Sequence, residues 1–496
     1  MKNKNVVYMV LFAVLMVVLF APLVQQKFRV FDVKKLDGAT VEVEEPALSF
    51  DNYKDGSFQR QLESYVATHF GFHEPIIRFY NQYLLLFRKT YAADVAIGKE
   101  KWLYGKNSVL DHYGQLSRSY ADNDAALEQK FQKDLQRLKK VQDQLAARGT
   151  HLFVLICPSK DEVYPEHLPS HGQYVKRDGL RAIDYYPRAF AENGINHINV
   201  CQWFRQIKDT VSYPLFPKRG MHWSNLACAH ASDSIIRYME HLTGINAPNI
   251  KIGPAYPDDM RNPDGDLEQN LNLAWGMVPA EQNYYADIEV VPDSTASRLR
   301  LITMGDSFFW NMCYTLPMDD IFETYYYWYY FNTIFYDPNH NNVSQINLME
   351  ELDWADVVMI SLSATQLYDI NHGLLSQALA RLSSTNPSQF DDILLSIKRQ
   401  METNEEWYES LKQKAAQKGK TLEEVMDEDA RYVYGQNPEK YLMEAVLGQI
   451  KQAMRNDASW LQALGEKAAQ QGKSLEQVMD EDALYVFNQD PEKYLE

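Results

Sequence analysis

The chain begins with an uncharged, mostly apolar run from about Asn5 to Leu23, preceded by Lys2 and Lys4. Roughly 20 apolar residues suffice to cross a bilayer as a helix. Ala21 is followed by Pro22, a poor cleavage junction, so residues 1–25 read as an uncleaved signal anchor. A cleaved secretory signal is the alternative, and it delivers the bulk of the chain to the same compartment. Positive charge before the run favours a cytoplasmic N-terminus, with Lys27 and Arg29 beyond it pulling the other way. Next, Leu62, Tyr65, Val66, Phe70, Ile76, Ile77 and Tyr80 recur at helical spacing, which predicts two helices broken near Gly71 within an N-terminal segment over 26–95.

From there to about residue 383 the pattern alternates. Short apolar runs at 151–158, 195–204, 299–304 and 355–362 read as strands, and amphipathic stretches such as "ALEQKFQKDLQRLKKVQDQLAARG" read as helices between them. This alternation predicts an α/β domain over 96–383 with an open parallel sheet covered on both faces. Ligand-handling residues then belong at the carboxyl ends of its strands.

Around "SSTNPSQ", a linker-like stretch, the pattern changes again, and 390–496 contains an internal repeat. The stretch from Trp407 returns from Trp460, a period of 53 residues (460 minus 407). Each copy reads as a helical hairpin, with Gly419 or Gly472 as a stop and Thr421–Glu424 or Ser474–Gln477 as a capped restart. Trp407, Val425 and Tyr432, with Trp460, Val478 and Tyr485, are the expected apolar seam. The module either packs on itself and the sheet domain or docks another protein.

Composition narrows the function. A net charge of -18 repels phosphate backbones and argues against nucleic-acid partners. Cys157, Cys201, Cys228 and Cys313 are far apart with no C-x-x-C spacing, which argues against structural zinc and leaves one disulfide open. No metal or organic cofactor is indicated.

Candidate chemistry centres on "LITMGDSFFW" (301–310), an apolar strand running into a Gly-Asp-Ser elbow. Ser307 there suits a helix cap, and equally a nucleophile exposed at a strand-to-helix turn. Upstream, His222 stands in "MHWSN", just before a helix starting near Ser224, and is the candidate base, with His230 as a rival. "YPDDMRNPDGDLEQN" (256–270) is acidic but lacks EF-hand spacing, and reads as a loop entering a helix. The aromatic run "ETYYYWYYFNTIFYDPNHNN" (323–342) reads as a half-buried strand or as a stacking surface for sugar rings, with Tyr325 a candidate contact.

"DGSFQRQLESYVATHFGFHEPIIRFYN", "VAIGKEKWLYGKN", "PSKDEVYPEHLP", "MHWSN", "GDSFFW" and "DWADVVMIS", in that order over roughly residues 50 to 370, resemble the alginate O-acetyltransferase family of the AlgJ and AlgX type. The resemblance implies a permuted SGNH-hydrolase-like fold, with Ser307 as the acyl-accepting nucleophile and His222 as general base. It also implies an extracytoplasmic enzyme, and together with the signal anchor this predicts a single-pass protein of the bacterial inner membrane with its bulk in the periplasm. Its implied partners are a polysaccharide acceptor and a multi-pass membrane O-acyltransferase that supplies acetyl groups.

The sequence departs from the family where an Asp usually stands two residues before the histidine, because that position is Gly220. Asp306, beside the nucleophile, and Asp161, after the strand at 151–158, are the candidate acids or supports, with Glu162 adjacent. Lys160 is either a surface lysine or a ligand for an anionic sugar, and Trp223 is a further substrate-binding candidate. The leading reading is a polysaccharide O-acetyltransferase. A carbohydrate O-acetyl esterase, and a noncatalytic binding or scaffold protein favoured by Gly220, are the alternatives.

Overall fold

A computed structural model describes residues 2–38, 43–92, 94–170, 174–279, 281–382, 387–418 and 420–489. Residues 383–386 of the linker-like stretch and the Gly419 stop lie outside the described residues.

The first helix, α1, spans Lys2–Phe28, and its Val6–Phe28 portion is long and apolar enough to cross a membrane. Helices α2 (Ser57–His69) and α3 (His73–Leu86) flank the break at Phe70–Phe72. The N-terminal segment is tied to the loop at 271–275. Asn81 donates to Leu271 O at 2.9 Å, and the Asp37 amide donates to Asn272 Oδ1 at 2.8 Å.

Helix α4 (Asp124–Ala147), capped by the Asn123 side chain, leads into strand β1 (His151–Ile156). Strand β2 is only His197–Asn199, shorter than the apolar run 195–204, because the Asn199 side chain caps a helix over Val200–Ile207. Helices α5 (Asn225–Thr243) and α6 (Asp266–Asn270) follow. Then come β3 (Leu299–Gly305), α7 (Phe308–Thr315), β4 (Phe322–Tyr329), β5 (Thr333–Phe335), β6 (Val357–Leu362) and α8 (Leu374–Leu382).

The sheet order is β5-β4-β3-β6-β1-β2. All neighbours are parallel except β5, which pairs antiparallel with β4 at the edge. The aromatic run is therefore a sheet strand, β4, closed by a short hairpin.

Period-two alternation divides the core. Leu152, Val154 and Ile156 of β1 and Val358, Ile360 and Leu362 of β6 face α4 and α8. Phe153, Leu155, Val357 and Met359 face α5 and α7. Both faces are covered, as uninterrupted apolar strands require. All four cysteines are free.

The C-terminal module is six helices: α9 (Pro387–Thr403), α10 (Glu405–Lys418), α11 (Leu422–Gln436), α12 (Pro438–Asn456), α13 (Ala458–Gln471) and α14 (Leu475–Gln489). They form two three-helix units with separate cores, so each hairpin carries a further helix in front of it. Val425 and Val478 are core residues and Trp407 and Trp460 pack beside them, as the seam requires. Tyr432 and Tyr485 do not; they are exposed, and Tyr434 and Phe487 are buried instead. Two residues turn a helix by about 200°, so residue 432 faces away from 430 and 434.

Candidate functional site

Strand β3 ends at Gly305 and α7 begins at Phe308, which places Ser307 at the carboxyl edge of the sheet. Ser307 makes no side-chain cap bond to α7; its Oγ lies 2.7 Å from Nε2 of His222. His222 sits just before α5, whose first turn is capped by Ser224. The imidazole packs edge-on against Phe308, ring centroids 4.8 Å apart, and its Nδ1 lies 2.7 Å from Oδ2 of Asp266. A carboxylate only accepts, so Nδ1 carries the proton donated to Asp266 and Nε2 is left to accept from the Ser307 hydroxyl. Ser307, His222 and Asp266 thus form a continuous hydrogen-bonded chain.

Asp266 is the first residue of α6 and is itself fixed. Its Oδ1 accepts from the Met221 and Leu267 amides, both at 2.7 Å. One of those amides belongs to the residue before His222, so the carboxylate registers the histidine loop as well as the ring. Gly220 explains the geometry. A Cβ at that position would lie 2.4 Å from the Asp264 carbonyl oxygen, so only glycine lets the 264–266 loop approach closely enough to present Asp266. Sequence reasoning missed Asp266. The available signal was the acidic segment 256–270 entering a helix, together with a glycine where an acid is expected.

Asp306 occupies a different role from the acid of this chain. Its Oδ1 accepts from the Phe308 amide at 3.1 Å and its Oδ2 from the Ser363 amide at 2.7 Å, bracing the elbow, while burial raises its pKa. Tyr327 OH reinforces the turn by donating to Asp306 O at 2.5 Å. With the Phe308 and Phe309 amides directed to Asp306, the Ser307 amide is without an acceptor among the described residues.

Asp161 is likewise not at the histidine. It is fully buried, accepts from Ser159 Oγ, and has its pKa pushed up by burial and by neighbouring Glu162. Burial also opposes ionisation of Glu162, but hydrogen bonds from His112 and Arg181 and the Arg181 charge outweigh it and hold that carboxyl down to about 2.

Lys160 is neither at the surface nor open to a sugar. Its ammonium is buried and donates to three carbonyls, Leu103 O at 2.7 Å and Lys218 O and Gly220 O at 2.8 Å, between the Trp102 and Tyr104 rings. Burial lowers its pKa to about 7. These bonds pin the loop that leads into His222.

Trp223 is wholly buried against Phe204 and Phe308 and presents no face to a ligand. Tyr325 pairs with Leu301, four positions before the Tyr329–Gly305 pair at the end of β4. At about 3.3 Å per residue it is roughly 13 Å short of the elbow. The residues of the aromatic run that reach the elbow are Tyr327, through its hydroxyl, Tyr329, which pairs with Gly305, and Tyr330, whose amide donates to Gly305 O at 3.0 Å. His230 stacks on Tyr213, centroids 5.7 Å apart, on α5.

Two groups of described residues gather metal-type ligand atoms within 4.8 Å of one another: His112, Asp161 and Glu162, and Asp337, His340 and Glu351. The Arg181 guanidinium already bonds to Glu162 in the first, and His340 Nδ1 lies 2.8 Å from Asp337 in the second.

Residues 95–306 match the family described as "SGNH hydrolase-like domain, acetyltransferase AlgX". The matched stretch contains His222 and Asp266 and ends one residue before Ser307. The chain is 24% identical over 228 residues to the protein named "Probable alginate O-acetylase AlgJ" of Pseudomonas aeruginosa, covering 42% of this chain and 54% of that protein. It thus spans about half the length of that curated relative. Among solved structures, the "O-Acetyltransferase Domain of Pseudomonas putida AlgJ" covers 55% of this chain and 92% of its own at 16% identity and a TM-score of 0.37. Pseudomonas aeruginosa AlgX covers 55% and 66% at 12% identity and a TM-score of 0.35.

Proposed function

Proceeding from residues 95–306 as an SGNH hydrolase-like domain of the AlgJ/AlgX-type acetyltransferase family, we propose that this protein transfers acetyl groups onto polysaccharide hydroxyls through an acetyl-Ser307 intermediate. The observation that carries this reading is the Ser307–His222–Asp266 chain, with both hydrogen bonds at 2.7 Å. A serine hydroxyl is a poor nucleophile until a base takes its proton as it attacks.

His222 Nε2 removes the Ser307 proton as Oγ bonds to the acetyl carbonyl carbon of the donor. The Ser307 amide stabilises the oxyanion. The intermediate collapses, the donor's leaving group departs with the proton from His222, and acetyl-Ser307 remains. A sugar hydroxyl then attacks this ester while His222 takes its proton, and collapse returns that proton to Ser307 Oγ. Asp266 stabilises the imidazolium in both halves and fixes its tautomer. Water in place of the sugar would make the same site an esterase, so the acceptor decides the outcome. A carboxylate at His222 Nδ1 supports an enzyme over a noncatalytic scaffold.

The remaining assignments extend this reading. Residues 1–25 anchor the chain in the bacterial inner membrane with its bulk in the periplasm. Residues 26–95 brace the catalytic domain over 96–383, and residues 390–496 form the repeat module. A multi-pass membrane O-acyltransferase supplies the acetyl groups.

The test uses the full chain in detergent with a chromogenic acetyl ester. Wild type should acquire one acetyl group on Ser307 by mass, and Ser307→Ala and His222→Ala should not. An adduct of equal yield in Ser307→Ala, or none in wild type, overturns the assignment. Transfer to added oligosaccharide over hydrolysis then separates transferase from esterase.

A further inference from the structure

Helix α3 has its amphipathic pattern reversed. Its polar residues turn toward the protein. Arg78 Nη2 donates to Lys35 O and Asn81 Nδ2 to Leu271 O, both at 2.9 Å, and buried Gln82 accepts from the Trp275 amide at 3.3 Å. Ile76, Phe79, Tyr80, Tyr83 and Leu86, which share one helical face, are instead 48–76% exposed. Trp275, 63% exposed, packs edge-on against Phe79 with ring centroids 6.0 Å apart and widens that face. An apolar face of this kind on the outside of a protein marks a surface that meets an apolar partner.

We propose that this face lies in the headgroup layer of the bilayer that α1 enters, as a second contact of the chain with the membrane; the inference rests on residues 1–25 being an uncleaved anchor.

Two observations identify a lipid surface as the occupant. First, the face begins at the membrane-spanning helix. The turn between α2 and α3 is seated on the end of α1: a Cβ on Gly71 would collide with Pro22 O and lie 2.8 Å from Gln25 Cβ, and the Phe72 ring packs on Phe31, centroids 6.0 Å apart. Pro22 stands six residues (28 minus 22) before the end of the apolar span Val6–Phe28. That is roughly 9 Å of helix axis, against a headgroup layer roughly 5–7 Å deep on each side of the hydrocarbon. A turn packed at that height sits where hydrocarbon meets headgroups, and α3 starts from it.

Second, the chemistry of the face is interfacial. Tyr and Trp rings favour the headgroup level, where one edge is apolar and the other wet. The face ends in exposed Arg88 and Lys89, and exposed Lys27 and Arg29 flank the end of the span, so cations stand where lipid phosphates are met.

The contact would act on the catalytic domain directly. The 271–275 loop that α3 grips leaves α6, the helix that presents Asp266, so a bilayer under α3 fixes the height of the domain above the membrane through the segment next to the acid.

The experiment places the full chain in nanodiscs whose lipids carry a nitroxide quencher near the top of the acyl chain. The emission of Trp275 is the difference between wild type and Trp275→Phe. It should fall about twofold in nitroxide lipid relative to plain lipid, as a ring at headgroup level requires, and aqueous iodide should leave it unchanged. Replacing Phe79 and Tyr83 together by Ser should abolish the lipid quenching and open Trp275 to iodide, with the unfolding midpoint of the chain unchanged. Emission untouched by the nitroxide and quenched by iodide overturns the proposal and leaves the face to a protein partner; lipid quenching that survives the serine substitutions overturns it as well. The mass of the reconstituted chain separates the two readings. A chain that has lost residues 1–25 overturns the anchor and this inference with it, whereas an intact chain with unquenched Trp275 overturns the inference alone.

Discussion

Replacing Asp266 by Asn tests the site most directly, because the substitution changes charge and proton placement while keeping shape. The Asn carbonyl can still accept from the Met221 and Leu267 amides, as Asp266 Oδ1 does at 2.7 Å. That leaves the amide NH2 facing His222 Nδ1, which forces the proton onto Nε2, the nitrogen that must accept from Ser307. The lost charge has its own cost. Opposite unit charges about 4 Å apart at an effective dielectric near 20 interact by about 4 kcal/mol, which is roughly a thousandfold in rate. The Asp266 side chain is 23% exposed, so solvent trims the charge effect, while the wrong tautomer adds to it. Loss of an orienting acid costs on the order of 10⁴ in rate. The expected fall in the single-turnover rate of acetyl-Ser307 formation is therefore about 10³ to 10⁴, with the unfolding midpoint unchanged. A rate within tenfold of wild type would refute the assignment of Asp266 as the acid.

Three further outcomes follow from the same region. Gly220→Asp, which puts an acid two residues before His222, should slow Ser307 acetylation and fail to rescue Asp266→Asn, because its Cβ meets Asp264 O at 2.4 Å; thermal unfolding should show a loss of about 1–3 kcal/mol typical of overpacking. Lys160→Met removes the ammonium from Leu103 O, Gly220 O and Lys218 O, of which the last keeps the Leu103 amide, and should cost roughly 2–6 kcal/mol by denaturant unfolding, with slower Ser307 acetylation; an unchanged midpoint would contradict the bracing role. Burial raises Asp264 to about 6, above the ordinary carboxyl value, so its protonated form is favoured by folding. Its contribution is full below about pH 4 and is lost as pH rises through 6, amounting to about 2–3 kcal/mol by linkage. Asp264→Asn, which keeps an acceptor for Tyr285 OH, should flatten the stability profile between pH 4 and 6, and an identical slope would exclude this group.

Legibility followed the range over which each signal acts. The apolar runs at 151–158, 299–304 and 355–362 became central sheet strands because a strand buried on both faces must be apolar throughout, and that is a local property, whereas the run at 195–204 gave only the half-buried edge strand His197–Asn199. Ser307 and His222 were legible because each sits at an element boundary with a recognisable neighbourhood. Asp266 was not, since an acid needs only one carboxylate oxygen at Nδ1, and a residue 44 positions further on meets that requirement as well as one two positions before. Lys160 misled for a related reason. A lysine after a strand reads as solvated, and only the folded chain brings the carbonyls of residues 103, 218 and 220 around it. In the module, α10–α11 and α13–α14 repeat visibly. The preceding helices keep mainly their core positions, Ile393 with Val446, Ile397 with Ile450 and Met401 with Met454, so their kinship is hidden by divergent surfaces.

Gly220, Lys160 and Asp266 are best understood as one arrangement. Lys160 holds the Gly220 carbonyl from one side, and the Asp264 carbonyl packs where a side chain on Gly220 would be. Asp266 then accepts from Met221, the next residue, and from the His222 ring. The histidine is thereby held through its backbone and its imidazole by groups outside its own loop. An acid on the loop itself would orient the ring but leave the loop free to move with it. Supplying the acid from α6 couples ring and loop to a separate element, at the cost of a position that tolerates only glycine. The absence of a side chain at residue 220 is therefore the condition that lets the Asp266 carboxylate reach His222 Nδ1.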